Sequence, residues 1–157
     1  MRRAKYLSIP AVYRRAVIHP TRSREELLTS VVSEVWDQVV GIYGRFVAWS
    51  SAYADENLDY QQEPVQRREE VSQRLSEFSD YYFPRAVWLD RRTCKSIERF
   101  IEKSEGLYSE LADEIRERGY SPRVRANMAE RVSVELGPLK REVVSDLQDE
   151  LKNSGNE

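Results

Sequence analysis

The chain has 157 residues, 33% of them charged and 40% hydrophobic, with six Gly, six Pro and a formal net charge of −2. Those proportions exclude a collagen-like or disordered chain, and the length suffices for one domain with a buried core. The near-neutral total gives the whole molecule no strong attraction to polyanions.

The charge is unevenly placed. Residues 1–24 carry Arg2, Arg3, Lys5, Arg14, Arg15, Arg22 and Arg24 without one acid, so they stand at +7 and the remainder at −9. Pro10 and Pro20 prevent one long helix there, and short apolar clusters at residues 6–12 and 16–18 interrupt the basic run. This arm, taken as residues 1–22, is expected to pack on the body or fray. A second reading makes it a binding segment for an anionic membrane surface or nucleic acid, through Arg2, Arg3, Lys5, Arg14 and Arg15.

Ser23-Arg24-Glu25-Glu26 has the pattern of a capping box, with a hydroxyl and a carboxylate three apart reaching each other's backbone amides. From there Leu28, Val32, Val35, Val39, Ile42, Phe46, Trp49 and Tyr53 recur at three- and four-residue spacings, which predicts a helix to about residue 55. Trp36, Val40, Tyr43 and Val47 form a second apolar flank beside that stripe. A helix this broadly apolar must be central in its bundle or meet another chain, so these four residues are the expected interaction surface. Gly41 and Gly44 lie within it and would permit a bend or a close approach by a neighbour.

Residues 55–63 are polar and read as a connection, and Pro64 suits a first helical turn. The second helix places Val71, Leu75, Phe78 and Tyr82 on one face. The aromatic run Tyr81-Tyr82-Phe83-Pro84 through Trp88 and Leu89 is the least helical part of the body, because Pro84 disfavours helical geometry at Phe83. Asp90 or Thr93 is expected to cap a third helix with Cys94, Ile97, Ile101, Tyr108, Leu111 and Ile115 on its stripe, ending at Gly119. Ser121-Pro122 restarts the chain. Val124, Met128, Val132 and Leu136 continue the pattern, Gly137-Pro138 breaks it, and Leu139, Val143, Leu147 and Leu151 carry it to about residue 152.

The expected fold is therefore all-α: an antiparallel bundle of four main helices over residues 23–152, the last broken at Gly137-Pro138, with a tail at 153–157. Chemistry is sparse. His19 is the only histidine and Cys94 the only cysteine, so two-histidine metal sites, thiolate clusters and an intramolecular disulfide are excluded within one chain. Cys94 lies near a helix start, where a thiol can be activated, but its place on the Ile97 and Ile101 stripe marks it as a small core residue. Paired carboxylates such as Glu25/Glu26, Glu69/Glu70 and Asp149/Glu150 read as solvated faces, and no phosphate loop or nucleic-acid-binding motif is present. A ligand pocket near Tyr82, Trp88 and Cys94 is a weaker alternative. No catalytic residue, metal ligand, cofactor or small-molecule substrate is expected. No stretch nears the roughly 18 to 20 apolar residues of a membrane span, so a cytoplasmic, at most membrane-peripheral, location is expected.

The run Val35-Trp36-Asp37-Gln38-Val39-Val40-Gly41-Ile42-Tyr43, then Tyr81-Tyr82-Phe83-Pro84, then Leu89, Cys94, Ile97 and Phe100, then Gly137-Pro138-Leu139, resembles the helical region of uncharacterised bacterial proteins in which such a bundle often follows a membrane-anchored coiled coil. The resemblance covers roughly residues 28–152. It carries over no activity and no functional residue; the broad apolar stripes and the sparse chemistry themselves point to a non-enzymatic helical interaction or scaffolding module, with a protein partner or a second copy of itself. The basic arm stands where those proteins carry the membrane helix and coiled coil.

Overall fold

A computed structural model describes residues 23–51 and 62–156. The arm at residues 1–22, with Arg2, Arg3, Lys5, Arg14 and Arg15, lies outside the described residues, as do residues 52–61. Among the described residues the chain is all-α.

Helix α1 spans Arg24–Ser50 and starts at the capping box read from the sequence. The Ser23 hydroxyl accepts the Glu26 amide at 3.2 Å, and the Ser23 amide donates to the Glu26 carboxylate at 3.1 Å. Its inward residues Val32, Val35, Val39, Ile42, Phe46 and Trp49 are buried. Helix α2 spans Gln62–Tyr82, so it begins before Pro64, which falls within its first turn. A 3-10 segment at Phe83–Trp88 follows, and α3 spans Arg91–Arg118. Of the two expected caps for α3, Asp90 is the one used: its carboxylate accepts the Thr93 amide at 2.8 Å. Gly119 ends α3 at φ 77° and ψ 172°, a region that essentially only glycine occupies.

Helix α4 (Pro122–Arg131), a π turn (Val132–Leu136) and α5 (Gly137–Ser154) run on without a gap in helical backbone. The break expected at Gly137-Pro138 takes the form of this π turn. Pro138 has no amide, and in a regular helix its ring would meet the carbonyl four residues back. The wider turn instead lets the Gly137 amide reach the Val132 carbonyl, five residues away.

The helices form a square, with α1 beside α2 and the α4–α5 rod, and α3 beside the same two. α3 and the rod are held by a ladder of polar pairs: Arg92 with Asp146, Arg99 with Glu142, Lys103 with Glu135, Glu110 with Arg131 and Glu114 with Asn127. Partner numbers fall as α3 numbers rise, so the two run antiparallel. α1 is antiparallel to the rod as well, since the Tyr120 hydroxyl at the start of α4 donates to the Trp49 carbonyl at the end of α1.

Two readings of α5 need correction. Leu151 is exposed, while Asp146 and Glu150 are buried. A four-residue spacing advances about 40° per step around a helix, so the series Leu139, Val143, Leu147, Leu151 drifts off the inward side by its last member. Glu150 then falls in the inward sector beside Val143, and is not part of a solvated face. Its carboxylate accepts the Asp90 amide at 2.6 Å, satisfying the start of α3 from across the bundle.

Candidate interaction surfaces

The C-terminal half of α1 departs from the pattern of a surface helix. Between Gln38 and Ser51 it bears one charged residue, Arg45. The guanidinium of Arg45 is engaged with Glu70 of α2 at 3.0 Å, and Glu70 also receives Arg67. Toward solvent this half shows Val40, Gly44 and Val47, with both valines 42% exposed. A Cβ placed on Gly44 would meet nothing within 4 Å.

Of the four residues expected to make a contact surface, Val40 and Val47 stand open while Trp36 and Tyr43 are half-buried against the core. The Tyr43 ring lies under the Lys140 ammonium at 4.3 Å, and its hydroxyl lies against Gly137. All four share one side of the helix, but Tyr43 seals α1 to α5 and Trp36 packs against the core. The open part of the surface is Val40, Gly44 and Val47. The sequence marks Gly44 as a place for a bend or a neighbour's close approach; the signal for its place on the open surface is the absence of charge over residues 38–51 outside Arg45.

A second concavity lies along the seam between α2 and α3, about 820 Å³ in volume. It is lined by Ser72 and Ser76 of α2 and by Tyr108, Ser109 and Ala112 of α3, together with the charged Arg68, Glu69, Glu77, Asp113 and Arg116. Small side chains at these positions leave the two helices unfilled between them, whereas the polar ladder closes α3 onto the rod. The sequence analysis did not find this groove; the signal that could have found it is the pair of small residues Ser72 and Ser76, one turn apart on α2.

The aromatic segment makes the 3-10 connection between α2 and α3. Tyr82 is buried, with its ring against Phe78 and Phe83, and its hydroxyl donates to the Cys94 carbonyl at 3.4 Å. The Cys94 thiol donates to the Ala86 carbonyl at 3.3 Å. Burial pushes the thiol above its ordinary value; the Tyr82 hydroxyl opposes this, and Glu98, Glu150 and Asp90 reinforce it. Tyr82 is likewise raised, first by burial. A thiol held neutral in this way is a packed residue and a poor nucleophile. The cavity at this end reaches Trp88 but neither Tyr82 nor Cys94, so the three do not converge on one pocket.

Among the described residues no cluster of three or more His, Cys, Asp or Glu side chains is placed to hold a metal ion, and no helix is long and apolar enough to cross a membrane. No protein-family model, curated protein or solved structure matches this chain.

Proposed function

We propose that this protein is a non-enzymatic helical interaction module that associates with a second copy of itself through the outer side of α1. The observation that carries this reading is the uncharged outer side at Val40, Gly44 and Val47, on a helix whose inner side is already fully packed. A helix apolar all round is normally buried all round. Gly44 lies between the two valines, so a second α1 laid antiparallel across it would bring each Val40 near the other copy's Val47. The same patch then serves both chains, as a two-fold interface requires. The missing side chain at Gly44 lets the backbones approach closely, and Arg45 is turned aside by Glu70, so no free charge of α1 is trapped in the contact.

Sedimentation of the intact chain tests this. The expected result is a mass above 18.5 kDa, reduced to that of one chain by Val40→Glu or Val47→Glu while helicity is unchanged. A monomer at high concentration would refute it.

A further inference from the structure

The outer side of α1 carries a charge at the edge of its uncharged stretch. Asp37 lies two turns before Gly44 on nearly the same line of the helix, is exposed, and has no hydrogen-bond or ion-pair partner among the described residues. A carboxylate brought to the border of a contact must keep its water or meet a cation. Which cation it meets depends on the register. In a two-fold antiparallel contact centred on Gly44, Val40 faces the other copy's Val47. Three residues further out, Asp37 comes level with the other copy's Ser50, the last residue of α1.

The cations bordering this half of α1 differ in their level along it. Arg45 is held by Glu70 of α2. Lys140 covers the Tyr43 ring, and Arg141 lies against Gly137 beside the Tyr43 hydroxyl, so both stand at the middle of the contact. Arg125 stands at its end: its guanidinium lies 5.7 Å from the centre of the Tyr120 ring, and the Tyr120 hydroxyl donates to the Trp49 carbonyl. On α4, Asn127 and Arg131 reach toward α3, while Val124 and Met128 fill the core. A helix turns about 100° per residue, so Arg125 falls on the opposite flank, toward α1. Asp37 is about 10 Å from Gly44 along the axis. Helices crossing at about 20° have parted sideways by only about 4 Å at that distance, within the reach of an arginine side chain.

Given the reading of α1 as a self-association surface, on which this rests, we propose that Asp37 of each copy pairs with Arg125 of the other, and that the two symmetric pairs fix the antiparallel register. The valines supply apolar area but little direction, since such a patch tolerates sliding and reversal. The charges exclude the parallel arrangement, which would set the two Asp37 carboxylates against each other.

Charge reversal in the intact chain tests this by sedimentation. Asp37→Arg alone and Arg125→Glu alone each set like charges together at both ends of the contact, and each should weaken association at least about fivefold. Mixed in equal amounts, the two variants regain an acid opposite a cation at both ends, so the mixture should associate about as tightly as the parent. Added salt should weaken the parent and the mixture but strengthen each variant alone. Arg125 is half-buried, so Asp37→Asn, Arg125→Gln and their combination give a milder set, checked for helicity by circular dichroism. The combination should lose no more than the weaker single variant. A mixture as weak as its components would overturn the pairing, as would single variants that associate like the parent. Both results leave the α1 contact standing, whereas a monomeric parent removes the contact and the pairing together.

Discussion

Gly44 offers the sharpest perturbation, because one position should raise the stability of the fold and lower association. Glycine in a helix interior costs about 1 kcal/mol relative to alanine, through the backbone freedom it gives up on folding. At Gly44 the gain should be realised nearly in full: the backbone is helical, and an added Cβ meets nothing within 4 Å. Gly44→Ala is therefore expected to stabilise the isolated chain by about 1 kcal/mol, or about 2–4 °C in Tm for a domain of this size. Gly44→Leu should also keep the chain folded, since leucine is nearly as good a helix former. Its branched side chain, however, would stand where a second α1 must approach, and association should weaken at least about tenfold, the equivalent of about 1.4 kcal/mol. Urea unfolding at protein concentrations below the association range measures the first effect without mass-action stabilisation, and sedimentation at high concentration measures the second. If Gly44→Ala destabilises the dilute chain, the space around α1 has been misread. If Gly44→Leu associates as tightly as the parent, the contact lies on another face.

Four further outcomes follow from the packing. Glu150→Ala leaves the Asp90 amide without its acceptor and should cost about 1.5–3 kcal/mol; Asp90→Ala should cost about 1 kcal/mol. The two should combine to less than their sum in denaturant titrations, because they serve the same helix start. Ser104 is fully buried and its hydroxyl has no hydrogen-bond partner, so Ser104→Ala should raise the unfolding midpoint, by about 1 kcal/mol. Cys94 has a raised folded-state pKa, so its contribution is complete below the unfolded value of about 8.5 and is lost as pH climbs above it. Stability should fall as pH climbs from about 8.5 toward the raised folded-state value, Cys94→Ala should flatten that slope, and iodoacetamide should label the thiol far faster in urea than in buffer. On the acid side, the hydrogen bond from Arg131, aided by Lys103, lowers the Glu135 carboxyl. Its contribution is present above the unfolded value of about 4.3 and fades as pH falls through the folded one, so Glu135→Gln should reduce the acid sensitivity of the midpoint.

The features legible in the sequence are those set by neighbours along the chain. Caps depend on residues three apart, and Ser23 with Glu26, Asp90 with Thr93, and Ser121 with Val124 all close as their spacing implies. Helical stripes depend on residues three and four apart, and Val35, Ile42, Phe46, Ile97, Leu111 and Met128 are buried accordingly. The α1 flank was legible for the same reason, but only halfway. Periodicity groups Trp36, Val40, Tyr43 and Val47 on one side, yet cannot say that α5 will cover Tyr43, that Trp36 will pack on the core, and that the valines will stay open. That division depends on how far apart two helices settle, which is decided by side chains remote in sequence, among them Gly137 and Lys140.

The carboxylates of α5 show how such remote effects change the meaning of a residue. Asp149 and Glu150 are adjacent and chemically alike, and a charged pair on a helix is ordinarily solvent-facing. Glu150 nevertheless turns inward, because the inward sector of α5 advances by 3.6 residues per turn while the leucines advance by four. Once there, the carboxylate must be paired, and the amide it finds belongs to Asp90, sixty residues earlier. Asp146, one turn before and only 3% exposed, is paired in the same way with Arg92. The start of α3 is thus fixed from two sides, by its own cap and by α5. This places Val87 and Trp88, just before it, beside Glu25 and Leu28 at the end of the bundle where α1 begins.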